Sequence, residues 1–245
     1  MTLKALLPLL VETDGFGELL DGLRSEGAQA AAQAPEPATP YLVAALWREF
    51  GAPVIVLTPH RESARRLEDQ LLLWLGEDSP VFQFAETETL PFERLRPDAG
   101  STQQRLRCLA ALEDRAAPAP PLIVASVAAA MQTTLERRAF LESSHVVRPG
   151  DRVEPGELTS RWTAMGYEME ARVEVPGTAA RRGGIVDVYP IGSPAPARIE
   201  FFGSEVESVR CFDPTTQRST DRAEQVVVVP ARETLPALVD ASRAE

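Results

Sequence analysis

Few side chains in this chain have the type and spacing that chemistry needs. Cys108 and Cys211 are its only cysteines, and His60 and His145 its only histidines. None of them falls into the CxxC or HxxxH spacing of a metal site. The count leaves no disulfide framework, so both cysteines are expected as buried, small apolar residues. Ser, His and Asp all occur, yet without a GxSxG elbow. Carboxylate pairs such as Glu86 with Glu88 and Glu168 with Glu170 have no metal partners and read as solvated surface; His60, just after an apparent strand, reads as structural. The expectation is therefore no catalytic residue, no metal and no cofactor. What remains is the alternation Arg198-Ile199-Glu200-Phe201-Phe202. A period of two places Ile199 and Phe201 on one face and Arg198, Glu200 and Phe202 on the other. If the first face is core, an aromatic ring stands in solvent on the same face as an arginine, the mixture found at interface anchors. The commoner arrangement of such residues is an edge strand with an Arg–Glu pair worth about 0–1 kcal/mol and the ring tucked under a loop.

The elements that must position these residues follow from the surrounding pattern. Arg181 to Pro190 and Ala197 to Arg210 read as three short antiparallel strands, with Gly203-Ser204 as a tight turn between the second and third. A short helix begins near Pro155 and turns Leu158, Trp162 and Met165 inward. Strands without intervening helices make this an α+β region. Upstream the texture differs. Helical runs at Tyr41–Phe50, Ser63–Leu75 and Thr102–Leu112 alternate with apolar runs at Pro53–Thr58, Val81–Phe84 and Leu122–Ala125. That alternation predicts a parallel α/β sheet, with Val54–Thr58 buried on both faces. Leu3–Leu10 and Phe16–Leu23 read as packing helices, Gly27–Pro40 as a loop, Glu86–Gly100 as mostly loop and Asp213-Pro214 as a turn. Gln225–Val229 reads as a further strand and Leu235–Ala244 as a helix-like tail.

Composition narrows the function classes. With 245 residues and 44% hydrophobic content the chain can bury a real core. No stretch approaches about 18 uninterrupted apolar residues, and Met1 to Leu10 is no credible leader, so a cytoplasmic, membrane-free monomer is expected. The net charge of −11 argues against broad nucleic-acid affinity. Of 25 basic residues 24 are arginine, and the sole lysine is Lys4. A Walker loop needs a Gly-rich turn with a lysine that reaches the terminal phosphates. Lys4 precedes every strand, so no such loop can form.

The run Arg182–Ser219, RGGIVDVYPIGSPAPARIEFFGSEVESVRCFDPTTQRS, closely resembles the domain shared by bacterial transcription-repair coupling factors and the excision-repair protein UvrB. In that family the domain docks UvrA. The missing Walker lysine, together with Glu86–Leu95, Gln104-Arg105-Leu106, Val124–Val127 and Met131-Gln132, resembles the coupling-factor branch, whose amino-terminal module is nucleotide-free. The resemblance implies a degenerate P-loop (RecA-like) parallel-sheet α/β domain over 1–130. It is interrupted by an α+β antiparallel-sheet UvrA-docking domain over 131–218, and the chain returns to the first domain over 219–245, where it is truncated. It further implies that Arg182, Arg198 and Phe202 contact UvrA, and that RNA polymerase and double-stranded DNA are met through domains beyond this chain. A UvrB-like, ATP-dependent DNA-processing fragment and an autoinhibitory structural domain are the alternatives. Thr178-Ala179-Ala180-Arg181 departs from the family pattern, where an aromatic or Glu is more usual, and leaves the strand start before Arg182 open.

Overall fold

The structure, a computed structural model, describes residues 3–24, 29–87 and 99–233. It is mixed α/β, with one parallel and two largely antiparallel sheets. The chain divides into two compact units, residues 1–88 with 111–132, and residues 89–110 with 133–245.

In the first unit α1 (Leu7–Val11) and α2 (Asp14–Leu23) precede α3 (Thr39–Phe50), which Gly51 ends in the left-handed conformation at φ +58°. Then come β1 (Val54–Thr58), α4 (Arg61–Leu75) and β2 (Val81–Phe84). Helix α5 (Ala99–Glu113) carries most of its length, to Ala110, into the second unit, and the chain returns for β3 (Leu122–Ser126) and α6 (Val127–Ala130). The sheet order is β1-β3-β2, all parallel, with Val54 and Val81 both opposite Leu122. Leu67, Leu71 and Leu75 of α4 and Ala44 and Ala45 of α3 pack with Val81, Leu122 and Val124 in one core. Trp74 of α4 is half-buried and stacks on Tyr41 with ring centroids 4.5 Å apart. Strand β1 corrects the reading that it is buried on both faces. It lies at the sheet edge, and Ile55 and Leu57 on its second face are 60% and 55% exposed. An apolar run of five residues cannot tell a central strand from an edge strand.

The second unit adds α7 (Arg137–Ser143), β4 (His145–Val147), α8 (Pro155–Ala164), β5 (Glu168–Met169), β6 (Thr178–Arg182), β7 (Ile185–Val188), β8 (Ala197–Phe202), β9 (Glu205–Phe212), β10 (Ser219–Arg222) and β11 (Val226–Val228). A six-stranded sheet runs β10-β9-β8-β7-β6-β5, antiparallel except for β5 with β6; β11 pairs with β4 beside it. Leu158 and Trp162 of α8, with Met165 just beyond it, cover the inner face, against Ala179, Val186, Val188, Ala197, Ile199, Val206 and Val209. Residues 99–110 of α5 place Leu106 against Leu135, Phe140, Ile191 and Val229. Its fully buried Arg105 donates from Nε to both oxygens of Glu233, at 2.8 and 2.9 Å, and from Nη2 to the Thr133 carbonyl at 3.0 Å. A buried guanidinium is tolerated only with partners of this kind.

Among the described residues no helix is long and apolar enough to cross a membrane, and no cluster of His, Cys, Asp and Glu could hold a metal ion. The tail at Leu235–Ala244 and the quoted stretch from Glu88 to Leu95 lie outside the described residues.

Candidate protein-docking face

The outer face of the six-stranded sheet, opposite α8, carries all three residues singled out above. Two tight hairpins set its geometry. Gly183, at φ +61°, turns β6 into β7, and Gly203, at φ +64°, turns β8 into β9; both fill the first loop position of a two-residue connection. At Gly184 the backbones approach closely: a Cβ there would meet the Phe201 carbonyl oxygen at 3.1 Å and push it back by a few tenths of an ångström. Arg182 and Phe202 thus flank two turns at the same end of the sheet. Arg182 closes β6 rather than opening the next strand, and Thr178–Arg182, where the strand start was open, is itself a strand paired with β7.

Register fixes which side chains are neighbours. Asp187 lies opposite Ala180 and Arg198, and Ile185 opposite Arg182 and Glu200. Between Glu200 and Phe201 the pairing with β9 slips by one residue, a bulge at Glu207 and Ser208. The inward residues Val206 and Val209 are consequently three apart instead of two. Strand β8 itself keeps its alternation, so Phe201 packs on the core while Phe202 projects outward, 82% exposed.

Asp187 is the centre of the face and was not singled out from the sequence. Its side chain is 1% exposed and binds both arginines. Arg198 grips it bidentately, Nε to Oδ1 at 2.8 Å and Nη2 to Oδ2 at 2.9 Å, while Arg182 donates Nη2 to Oδ2 at 2.7 Å. Arg198 is only 14% exposed: Nη1 also donates to the Gln217 carbonyl at 3.2 Å, and the guanidinium lies 4.8 Å from the Phe212 ring centroid. The hydrogen bond to Asp187 raises the Arg198 pKa above its ordinary value, so the charge is permanent. Arg182 keeps half of its side chain in solvent. Arg198 and Phe202 share a face but are not adjacent. Glu200 stands between them, and four strand residues span about 13 Å.

The loop after β9 clamps this arrangement. Asp213 accepts from the Thr215 and Thr216 amides at 2.7 and 3.0 Å, which hold its carboxyl below its ordinary pKa, and Gln217 takes φ +61°. Gln217 Nε2 donates to the carbonyls of Val173 and Pro214. The strained backbone thereby presents its carbonyl to Arg198.

On the inner side Trp162 donates Nε1–H to Nε2 of His145 at 2.9 Å, and burial, with Arg161 nearby, lowers the His145 pKa to about 4. His145 is a neutral acceptor in the fold. His60 is exposed at the start of α4 and makes no side-chain capping bond. Cys108 is buried and Cys211 half-buried, and neither is in a disulfide.

What this face does chemically is present a half-exposed guanidinium and an exposed ring on a platform where one buried carboxylate, Asp187, holds two arginines. Residues 146–233, which contain all of it, match the family model described as the UvrB interaction domain. Over 224 residues, 91% of this chain and 19% of the relative, the sequence is 32% identical to the transcription-repair-coupling factor of Bacillus subtilis. It is 31% identical over 239 residues, 93% of this chain and 19% of the relative, to that of Myxococcus xanthus. The UvrABC system protein B of Thermosipho africanus is 22% identical over 204 residues, 79% of this chain and 30% of the relative. The chain spans about a fifth of the length of the coupling factors it matches.

Proposed function

We propose that this chain, a UvrB-homology module of the transcription-repair-coupling-factor family, is a nucleotide-free recruitment module that docks UvrA in transcription-coupled excision repair. The observation that carries the reading is Phe202. A large apolar ring 82% exposed at the end of a strand contributes little to the fold, and it stands at the rim of a charged platform where a partner could bury it. Arg182 supplies the exposed fork for a partner carboxylate. Arg198 acts one step back, holding Asp187 and so the direction in which Arg182 points.

The first unit is read as a degenerate relative of P-loop α/β domains. Its β1-β3-β2 parallel order and flanking helices support that ancestry, and the lack of any lysine beyond Lys4 supports a site without nucleotide. Neither unit is assigned catalysis.

Titration of the chain against UvrA tests the reading. Phe202→Ala should weaken binding by about 2 kcal/mol, roughly thirtyfold, the value of burying an aromatic ring, with an unchanged unfolding midpoint. Equal affinity of the variant and the wild type would remove Phe202, and with it the reading, from consideration.

A further inference from the structure

We propose that the docking surface continues past Arg198 to the edge of the sheet, where Arg210 and Arg222 form a second contact for a carboxylate-rich patch on the same partner. The inference rests on the docking reading above. Register places Arg210 opposite Arg198 and Arg222 opposite Arg210, so that three arginines cross β8, β9 and β10 in one row. The next residue, Ala223, donates its amide to the Val209 carbonyl at 3.0 Å and packs on the inner core, which fixes Arg222 on the outer face.

Like charges directly opposite one another destabilise a sheet unless something neutralises them. At the β7 end Asp187 pairs with Arg198 through both carboxylate oxygens. Towards the edge the compensation runs out. The Arg210 Nε is buried without a hydrogen-bond partner and meets Glu200 Oε2 only as a loose ion pair at 3.8 Å, while Glu200 accepts a hydrogen bond from the Ser208 hydroxyl at 2.6 Å. The Arg222 side chain is exposed, with no hydrogen bond or ion pair to any described residue. In a chain of net charge −11 a row of arginines with a deficit of carboxylates has a cost that the fold alone does not explain. The chemistry that offsets it is a partner carboxylate, which a guanidinium fork binds bidentately. Arginine on an edge strand also blunts edge-to-edge pairing, but that function needs no alignment with Arg198.

The test compares wild type, Arg222→Gln, Arg222→Glu and Phe202→Ala in titrations against UvrA at low and moderate salt. Arg222→Glu should weaken binding about tenfold at low salt and less as ionic strength rises, with Arg222→Gln between it and wild type. All variants should unfold at the wild-type midpoint, since the Arg222 side chain makes no hydrogen bond or ion pair to a described residue and the Phe202 ring is largely in solvent. Weakening by Phe202→Ala with both Arg222 variants binding like wild type would overturn the extension and leave the docking reading standing. Failure of folded wild type to bind UvrA would overturn both. Loss of duplex DNA binding in Arg222→Glu, with UvrA affinity unchanged, would also overturn it and assign the arginines to phosphates.

Discussion

Asp187 explains why the outer face has the shape it does, and it marks what a one-dimensional pattern conceals. In Ile185-Val186-Asp187-Val188 a lone carboxylate sits in a β-branched run, an anomaly that signals a buried charge with partners elsewhere. The alternation along β8 was enough to put Arg198 and Phe202 on one face. It could not reveal that Arg198 is occupied by Asp187, because that contact depends on the β7–β8 register. The consequence is a difference between variants that look equivalent in sequence. Asp187→Ala strands Arg198 beneath the Gln217 loop and should lower stability by about 3–5 kcal/mol in chemical denaturation. A loss below about 1 kcal/mol would mean that the loop holds Arg198 unaided. Arg198→Ala shares this fault, leaving a buried carboxylate with one exposed partner, so lost binding in that variant would confound fold with contact. Phe202→Ala has no such ambiguity.

Among the elements, helix α8 and the hairpins β6–β7 and β8–β9 carry the face, and they differ in how much the sequence revealed. Pro155 at the helix start and the spacing of Leu158, Trp162 and Met165 announced α8 and its buried side. Gly203-Ser204 announced the second hairpin. The first was hidden because Arg181-Arg182 was joined to the following strand across Gly183-Gly184, although a glycine pair between strands is a turn signal. Strands β4 and β10 are three and four residues long and carry no clear alternation, so only pairing with β11 and β9 defines them. His145 of β4 ties that small ladder to α8, and its acceptor role sets a pH dependence. Its ordinary pKa of 6.5 falls to about 4 in the fold. Between these values the unfolded chain takes up a proton that the folded chain refuses, so stability is full above about pH 6.5 and declines as pH falls towards 4. His145→Gln should flatten this part of a stability–pH profile. A profile that keeps its slope in the variant would place the acid sensitivity elsewhere.

At the scale of the whole molecule, the alternation of helices and apolar runs revealed the parallel sheet of the first unit, since connection length and strand hydrophobicity leave few other solutions. The openness of β1 was not legible, because burial on the second face depends on what else covers the sheet. The proposal that the first unit is nucleotide-free predicts that ATP with magnesium at millimolar concentration leaves the unfolding midpoint unmoved. A ligand-dependent rise would revive the ATP-dependent alternative. The central claim is that UvrA meets the outer face of the second unit, and amide hydrogen exchange of the chain with and without UvrA tests it most directly. Slowed exchange should concentrate on the β6–β7 and β8–β9 turns and spread along β8 to β10, with α8 and the first unit unchanged. Protection centred on α8 or on β1, with the two turns exchanging as freely as in the unbound chain, would contradict the account.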